Sequence, residues 1–113
     1  MNYIDLKEQS QLEELVEKSK ELPNGVLIFK HSTRCAISNM ALSRFNRGWD
    51  VEQETLPVYF LDLIRYREIS NKVSEQFGVQ HESPQVLLIR DGKCVYTTSH
   101  NAISALDIQE QIK

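Results

Sequence analysis

Two adjoining stretches decide the fold: Gly25-Val26-Leu27-Ile28-Phe29, and then Ser32-Thr33-Arg34-Cys35-Ala36-Ile37-Ser38. The first is a short, unbroken apolar run, as expected of a central strand covered on both faces. The second is polar and leads into Asn39-Met40-Ala41-Leu42-Ser43-Arg44-Phe45. There Ile37, Met40, Ala41, Leu42 and Phe45 repeat at helical spacing. Cys35 is therefore expected where a buried strand ends and a helix begins. The first-turn amides of a helix lack intrahelical partners, and the aligned peptide dipoles place partial positive charge there. A sulfur at such a position is favoured as thiolate, the nucleophilic form of cysteine. Cys35 is accordingly read as a reactive thiol. The competing reading is a small buried hydrophobe, the common fate of a free cysteine, and polar Thr33, Arg34 and Ser38 weigh against it.

Upstream, residues 2–6 alternate as a short strand would. Ser10-Gln11-Leu12-Glu13 has the spacing of a capping box. Leu12, Leu15, Val16 and Leu22 form an apolar stripe, and Pro23-Asn24-Gly25 marks a turn. Downstream, Asn46-Arg47-Gly48 ends the cysteine-bearing helix, and residues 49–55 are polar and irregular. Pro57 opens a strand over 58–63, a helix runs over about 66–77, and Gly78 is its C-cap. Residues 79–84 connect to a strand over 85–90. Asp91-Gly92 is a hairpin signal, and residues 93–98 return as the partner strand. Ser104 opens a last helix running to about residue 112. The order β-α-β-α-β-α-β-β-α predicts an α/β chain: parallel strands in the first half, an antiparallel hairpin in the second, and helices on both faces of a mixed sheet.

The 113 residues, 41% hydrophobic, are enough for one domain with its own core, spanning 1–113. A net charge of −3 without any basic run argues against nucleic acid. No apolar stretch approaches the roughly 20 residues that cross a bilayer, so no membrane is expected as a partner. The N-terminus is too acidic and polar for a signal peptide, which points to the cytoplasm. Cys35 and Cys94 lack the paired spacing of a zinc site, and His31, His81 and His100 are scattered, so no metal is expected. Cys94 lies just beyond the hairpin turn, about 20 Å along the strand from Pro84. A disulfide needs Cα atoms within roughly 7 Å, so Cys94 is expected to pack in the hairpin rather than resolve Cys35.

This arrangement, with a cysteine at a strand-to-helix turn and Ser83-Pro84 just before the hairpin, resembles the thioredoxin fold over nearly the whole chain. Within that superfamily, Thr33-Arg34-Cys35-Ala36-Ile37-Ser38 resembles the Thr-x-Cys-Pro-Ile-Ser signature of the monothiol bacilliredoxins. These are glutaredoxin-like proteins that use bacillithiol as their low-molecular-weight thiol. The flanking His31-Ser32-Thr33, Gly92-Lys93-Cys94 and Ser99-His100 also match that family. The resemblance implies a thiol–disulfide oxidoreductase in which Cys35 takes bacillithiol from bacillithiolated client proteins. It implies no bound cofactor, bacillithiol as co-substrate, a flavin-dependent disulfide reductase as a further partner, and a monomer. It implies a cis Ser83–Pro84 bond, with Ser83 facing the cysteine. It places Thr33, Arg34, Ala36, Ile37, Ser38, Ser83, Pro84 and His100 at the substrate. Arg34 would meet the malate carboxylates of bacillithiol, and Ser38 and the amides of Ile37 and Ser38 would hold the thiolate. Against each stands a plainer role: a solvated charge for Arg34, a helix-start residue for Ser38, a surface polar group for His100. Lys30 and His31 directly follow the strand; the reading in which they add positive field at the cysteine is the less favoured one, since an exposed charge is screened.

Three departures matter. Ala36 replaces the signature proline, which preorganises a first helical turn. Ser38 stands where a dithiol protein has its second cysteine, so a second molecule must resolve any adduct. Phe29 stands where thioredoxins bury an acid. Two other classes fit the sequence: an iron–sulfur carrier of monothiol glutaredoxin type, and a thioredoxin-fold binding module with an inert cysteine.

Overall fold

The computed structural model describes residues 3–112. In chain order the elements are β1 (Ile4–Asp5), α1 (Ser10–Glu21), β2 (Val26–His31), α2 (Ala36–Gly48) and β3 (Val58–Asp62). They continue as α3 (Arg67–Phe77), β4 (Gln85–Arg90), β5 (Lys93–Ser99), a 3-10 turn over His100–Ala102 and α4 (Ala105–Gln109). The strands form one sheet in the order β1-β3-β2-β4-β5. β3 runs parallel to β1 and β2, whereas β4 is antiparallel to β2 and β5. The expected mixed α/β sheet is present.

Alternation along β2 builds two cores. Val26 and Ile28 point into one with Leu87 and Ile89, covered by Leu12 and Leu15 of α1 and Ile69 and Val73 of α3. Leu27 and Phe29 point into the other with Val86 and Leu88, covered by Ala41 and Phe45 of α2 and Ile108 of α4. Full burial of a side chain such as Phe29 contributes roughly 1.5–3 kcal/mol, so both sheet faces hold β2 in place. Phe29, where an acid was excluded by the sequence, packs its ring against Phe45 and Phe60.

The hairpin turns through Asp91 and Gly92, both at positive φ, as a two-residue loop requires. Gly78 ends α3 in the left-handed conformation. Several boundaries differ from expectation. The proposed first strand is reduced to Ile4–Asp5, and Asn2 lies outside the described residues. The capping box does not form: Gln9 is the N-cap and makes no side-chain bond. Instead Gln11, whose longer side chain reaches further back, accepts from the amides of Lys7 and Glu8 at 2.7 and 2.9 Å. α4 stops at Gln109, capped by the Ser104 hydroxyl, which accepts from the Asp107 amide. β2 runs two residues past its apolar stretch and buries Lys30 and His31.

Candidate active site

Four residues, 32–35, join the end of β2 to the start of α2. Ser32 is buried, Thr33 and Arg34 are exposed, and Cys35 is half-buried. Cys35 is the N-cap of α2, with extended φ and ψ of −113° and 121°. Its amide donates to the Ser32 carbonyl at 3.2 Å, and its carbonyl accepts from the Asn39 amide at 3.0 Å. The backbone of the cysteine is thus held from both sides, while its sulfur makes no capping hydrogen bond. The amides of Ile37 and Ser38 therefore do not hold the sulfur in this state, contrary to expectation.

Ser38 also departs from the role expected of it. It is fully buried, its Oγ accepts from the Ser32 amide at 2.9 Å, and it lies 2.9 Å from His31 Nδ1. The hydroxyl at the third position after the cysteine ties the first turn of α2 back to the end of β2. His31 in turn packs against Phe60, with ring centroids 5.4 Å apart and the rings tilted by 38°. Burial pushes the His31 imidazole below its ordinary range, with Asp62 and the Asn39 side chain pulling the other way. Burial thus disfavours the charged form of His31, in line with a structural role rather than a source of positive field.

Ile37 and Met40 belong to the helical apolar period but are 46% and 66% exposed. Only Ala41 and Phe45 of that series are fully buried, because among the described residues none covers the outward face of α2 beside Cys35. Ala36, at the first helical position, is exposed as well.

Strand register brings the remaining residues to this end of the sheet. Lys30 pairs with Gln85, and Gln85 with Ser99. One step further, Pro84 comes level with the end of β2, and the His100 amide donates to the Pro84 carbonyl at 3.0 Å. The Ser83–Pro84 bond is cis. Ser83 Oγ is buried and has no hydrogen-bond partner among the described residues. His100 has an exposed side chain on a backbone at φ 54°. Ser83-Pro84 and His100 therefore lie at the end of the sheet from which the cysteine turn leaves β2. Cys94 does not join them. It pairs with Ile89, which sits opposite Val26 at the far end of β2 from His31. Five strand steps put that end about 16 Å away. Both cysteines are free thiols. Cys94 packs against the α1/α3 core, and burial pushes its thiol up.

Sequence reasoning missed a cluster beneath the other face of the sheet. Lys30 Nζ lies 3.1 Å from the Ser70 carbonyl, 3.0 Å from Ser74 Oγ and 3.3 Å from His81 Nδ1. The signal available was a lysine and a histidine directly continuing an apolar strand with no turn residue between. Among the described residues no group of histidine, cysteine and carboxylate side chains could hold a metal ion, and no helix is long and apolar enough to cross a membrane.

Solved structures agree with this fold. A protein described as a candidate oxidoreductase with a thioredoxin fold superposes with a TM-score of 0.80 at 26% identity, over 98% of this chain and 94% of that one. Thioredoxin from Malassezia sympodialis matches with a TM-score of 0.72 at 15% identity, over 98% and 88% of the two chains. Thioredoxin from Fasciola hepatica gives 0.70 at 19% identity, over 96% and 95%. The fold is that of thioredoxin. At the level of sequence, the family model for the monothiol bacilliredoxin BrxC matches residues 4–108, which contain the cysteine turn, Ser83-Pro84 and the hairpin. With that match over nearly its whole length, the chain belongs to the monothiol bacilliredoxin family of thiol oxidoreductases.

Proposed function

We propose that the protein removes bacillithiol from bacillithiolated proteins by monothiol exchange at Cys35. The observation that carries this reading is a half-buried cysteine at the N-cap of α2 with an uncommitted sulfur and no second thiol at its end of the sheet. The Cys35 thiolate attacks the bacillithiol sulfur of the mixed disulfide. A new S–S bond forms to Cys35, the old one breaks, and the client sulfur leaves as thiolate and takes a proton from water. Because Ser38 has no thiol and Cys94 is remote, the adduct waits for a second molecule. Free bacillithiol attacks its bacillithiol sulfur, releasing Cys35 and oxidised bacillithiol. A flavin-dependent disulfide reductase then supplies the electrons that return oxidised bacillithiol to thiol.

The residues around the sulfur fit such a substrate. Exposed Arg34 meets the carboxylates of bacillithiol. Exposed Thr33, Ala36 and Ile37 line the approach from α2, and the buried, unpartnered Ser83 hydroxyl is a group left for a polar atom of the substrate. His100 borders the same opening from the Pro84 side. The acting form is taken to be a cytoplasmic monomer.

The test is intact-mass spectrometry after exposure to oxidised bacillithiol, with oxidised glutathione in parallel. One adduct, absent in Cys35→Ser, faster with bacillithiol and cleared by free thiol, is the expected result. An adduct on Cys94 alone, or none, would end the reading and leave a binding module.

A further inference from the structure

Lys30 is fully buried in the central strand and forms no ion pair among the described residues. A buried charge without a counter-charge is ordinarily destabilising. A chain selected for stability alone would carry an apolar residue there, as it does at the four preceding positions. What the ammonium has is a complete set of acceptors. It carries three protons, and three acceptors surround it: the Ser70 carbonyl and Ser74 Oγ on α3, and His81 Nδ1 on the connector before β4. The strand neighbour of Lys30, Gln85, braces the same connector. Its Nε2 donates to the Gln80 carbonyl at 2.9 Å, and its Oε1 accepts from the Glu82 amide at 3.3 Å. Glu82 also accepts from the Ser99 hydroxyl on β5.

We infer that Lys30 is a positioning residue: its ammonium, bonded to His81 Nδ1, fixes the connector over residues 79–84 and so sets Ser83 beside the Cys35 turn. The functional half of this inference rests on the exchange reaction proposed above. The bond also fixes the state of His81. Nδ1 can accept only while it carries no proton, so His81 is neutral with its hydrogen on Nε2. The charges around the pair agree. Burial first, then Lys30 and Arg67 of α3, disfavour the imidazolium, and only Glu82 favours it. Lys30 itself is lowered to about 8, by burial first and by Arg67 second, and so remains an ammonium at neutral pH.

The test is Lys30→Met, which fills the same space without charge. In the variant the His81 ring, followed by NMR, should titrate closer to its ordinary value, and the amide resonances of residues 79–84 should move. Uptake of bacillithiol from its disulfide should slow by roughly ten- to a hundredfold, since a misplacement of about 1 Å at a reacting centre costs up to about a hundredfold. Alkylation of Cys35 by iodoacetamide, which needs no docking, should stay near the wild-type rate, and the melting temperature should hold or rise. His81→Asn keeps an acceptor and should retain most of the exchange rate, whereas His81→Ala should lose it. This pair decides the matter if Lys30→Met fails to fold. Wild-type exchange in Lys30→Met or in His81→Ala, or unmoved resonances over 79–84, would overturn the inference. If the wild-type protein itself takes up no bacillithiol, the exchange reading falls. The His81 titration and the connector resonances then still decide whether Lys30 holds the connector.

Discussion

At the scale of single residues, Ser38 shows how a position can keep its place and change its job. A hydroxyl cannot attack a mixed disulfide, and here it does not reach for the sulfur either. It holds the turn by accepting from the Ser32 amide and by its contact with His31 Nδ1. Removing it orphans a buried donor. A buried polar group left unpaired costs about 1–3 kcal/mol. Ser38→Ala should therefore lower the free energy of unfolding by about that amount in urea titration. It should do so without changing the number of sulfurs that exchange. A neutral effect would mean that water replaces the hydroxyl. The sequence marked this residue but not its partners, because a serine at a helix start has several acceptable bonds and only the buried end of β2 selects among them.

At the scale of elements, the central strand depends on how closely its neighbour can approach at one end. Gly25 has a φ of 81°, and a Cβ there would lie 2.0 Å from the Ile89 carbonyl oxygen of β4. No side chain fits in either respect. Gly25→Ala should destabilise by roughly 2 kcal/mol or more, since both strain and a backbone clash must be relieved. The same denaturation experiment would show it, and a change below about 0.5 kcal/mol, the ordinary surface range, would contradict the packing described. The turn Pro23-Asn24-Gly25 was legible as a turn. That its glycine also lets two strands meet was not, because Ile89 is distant in sequence. Similarly, the apolar period of α2 was legible, but it overstated what is buried. Periodicity marks a face, and it cannot say that Ile37 and Met40 lie past the edge of what the sheet and α4 cover.

At the scale of the whole molecule, a buried histidine, His31, and a half-buried one, His81, give the fold a dependence on acid. His31 and His81 both have folded pKa values lowered from 6.5. The unfolded chain therefore binds their protons first as pH falls, and stability rises with pH wherever the unfolded state holds more protons. Their contribution is intact above about 6.5 and is lost as pH falls below that value. The melting temperature should drop more steeply below pH 6.5 in the wild-type protein than in His31→Phe or His81→Asn, followed by circular dichroism across a pH series. Equal slopes in all three would remove the histidines from the account. What the sequence alone determined was what local chemistry dictates. It gave the order of strands and helices, the Asp91-Gly92 hairpin, the Gly78 stop, and a cysteine at a strand-to-helix turn. The signature around that cysteine also carried the family. What only the tertiary structure decided was which ends of distant strands meet. The pairing of β2 with β4 brings Ser83-Pro84 to the end of the sheet that carries the Cys35 turn and puts Cys94 at the other end. The packing of α3 under β2 turns Lys30, expected as a charge following the strand, into a buried ammonium shared with residues 40–51 positions away. Such contacts depend on register and packing between remote segments, and no local pattern of residue types encodes them.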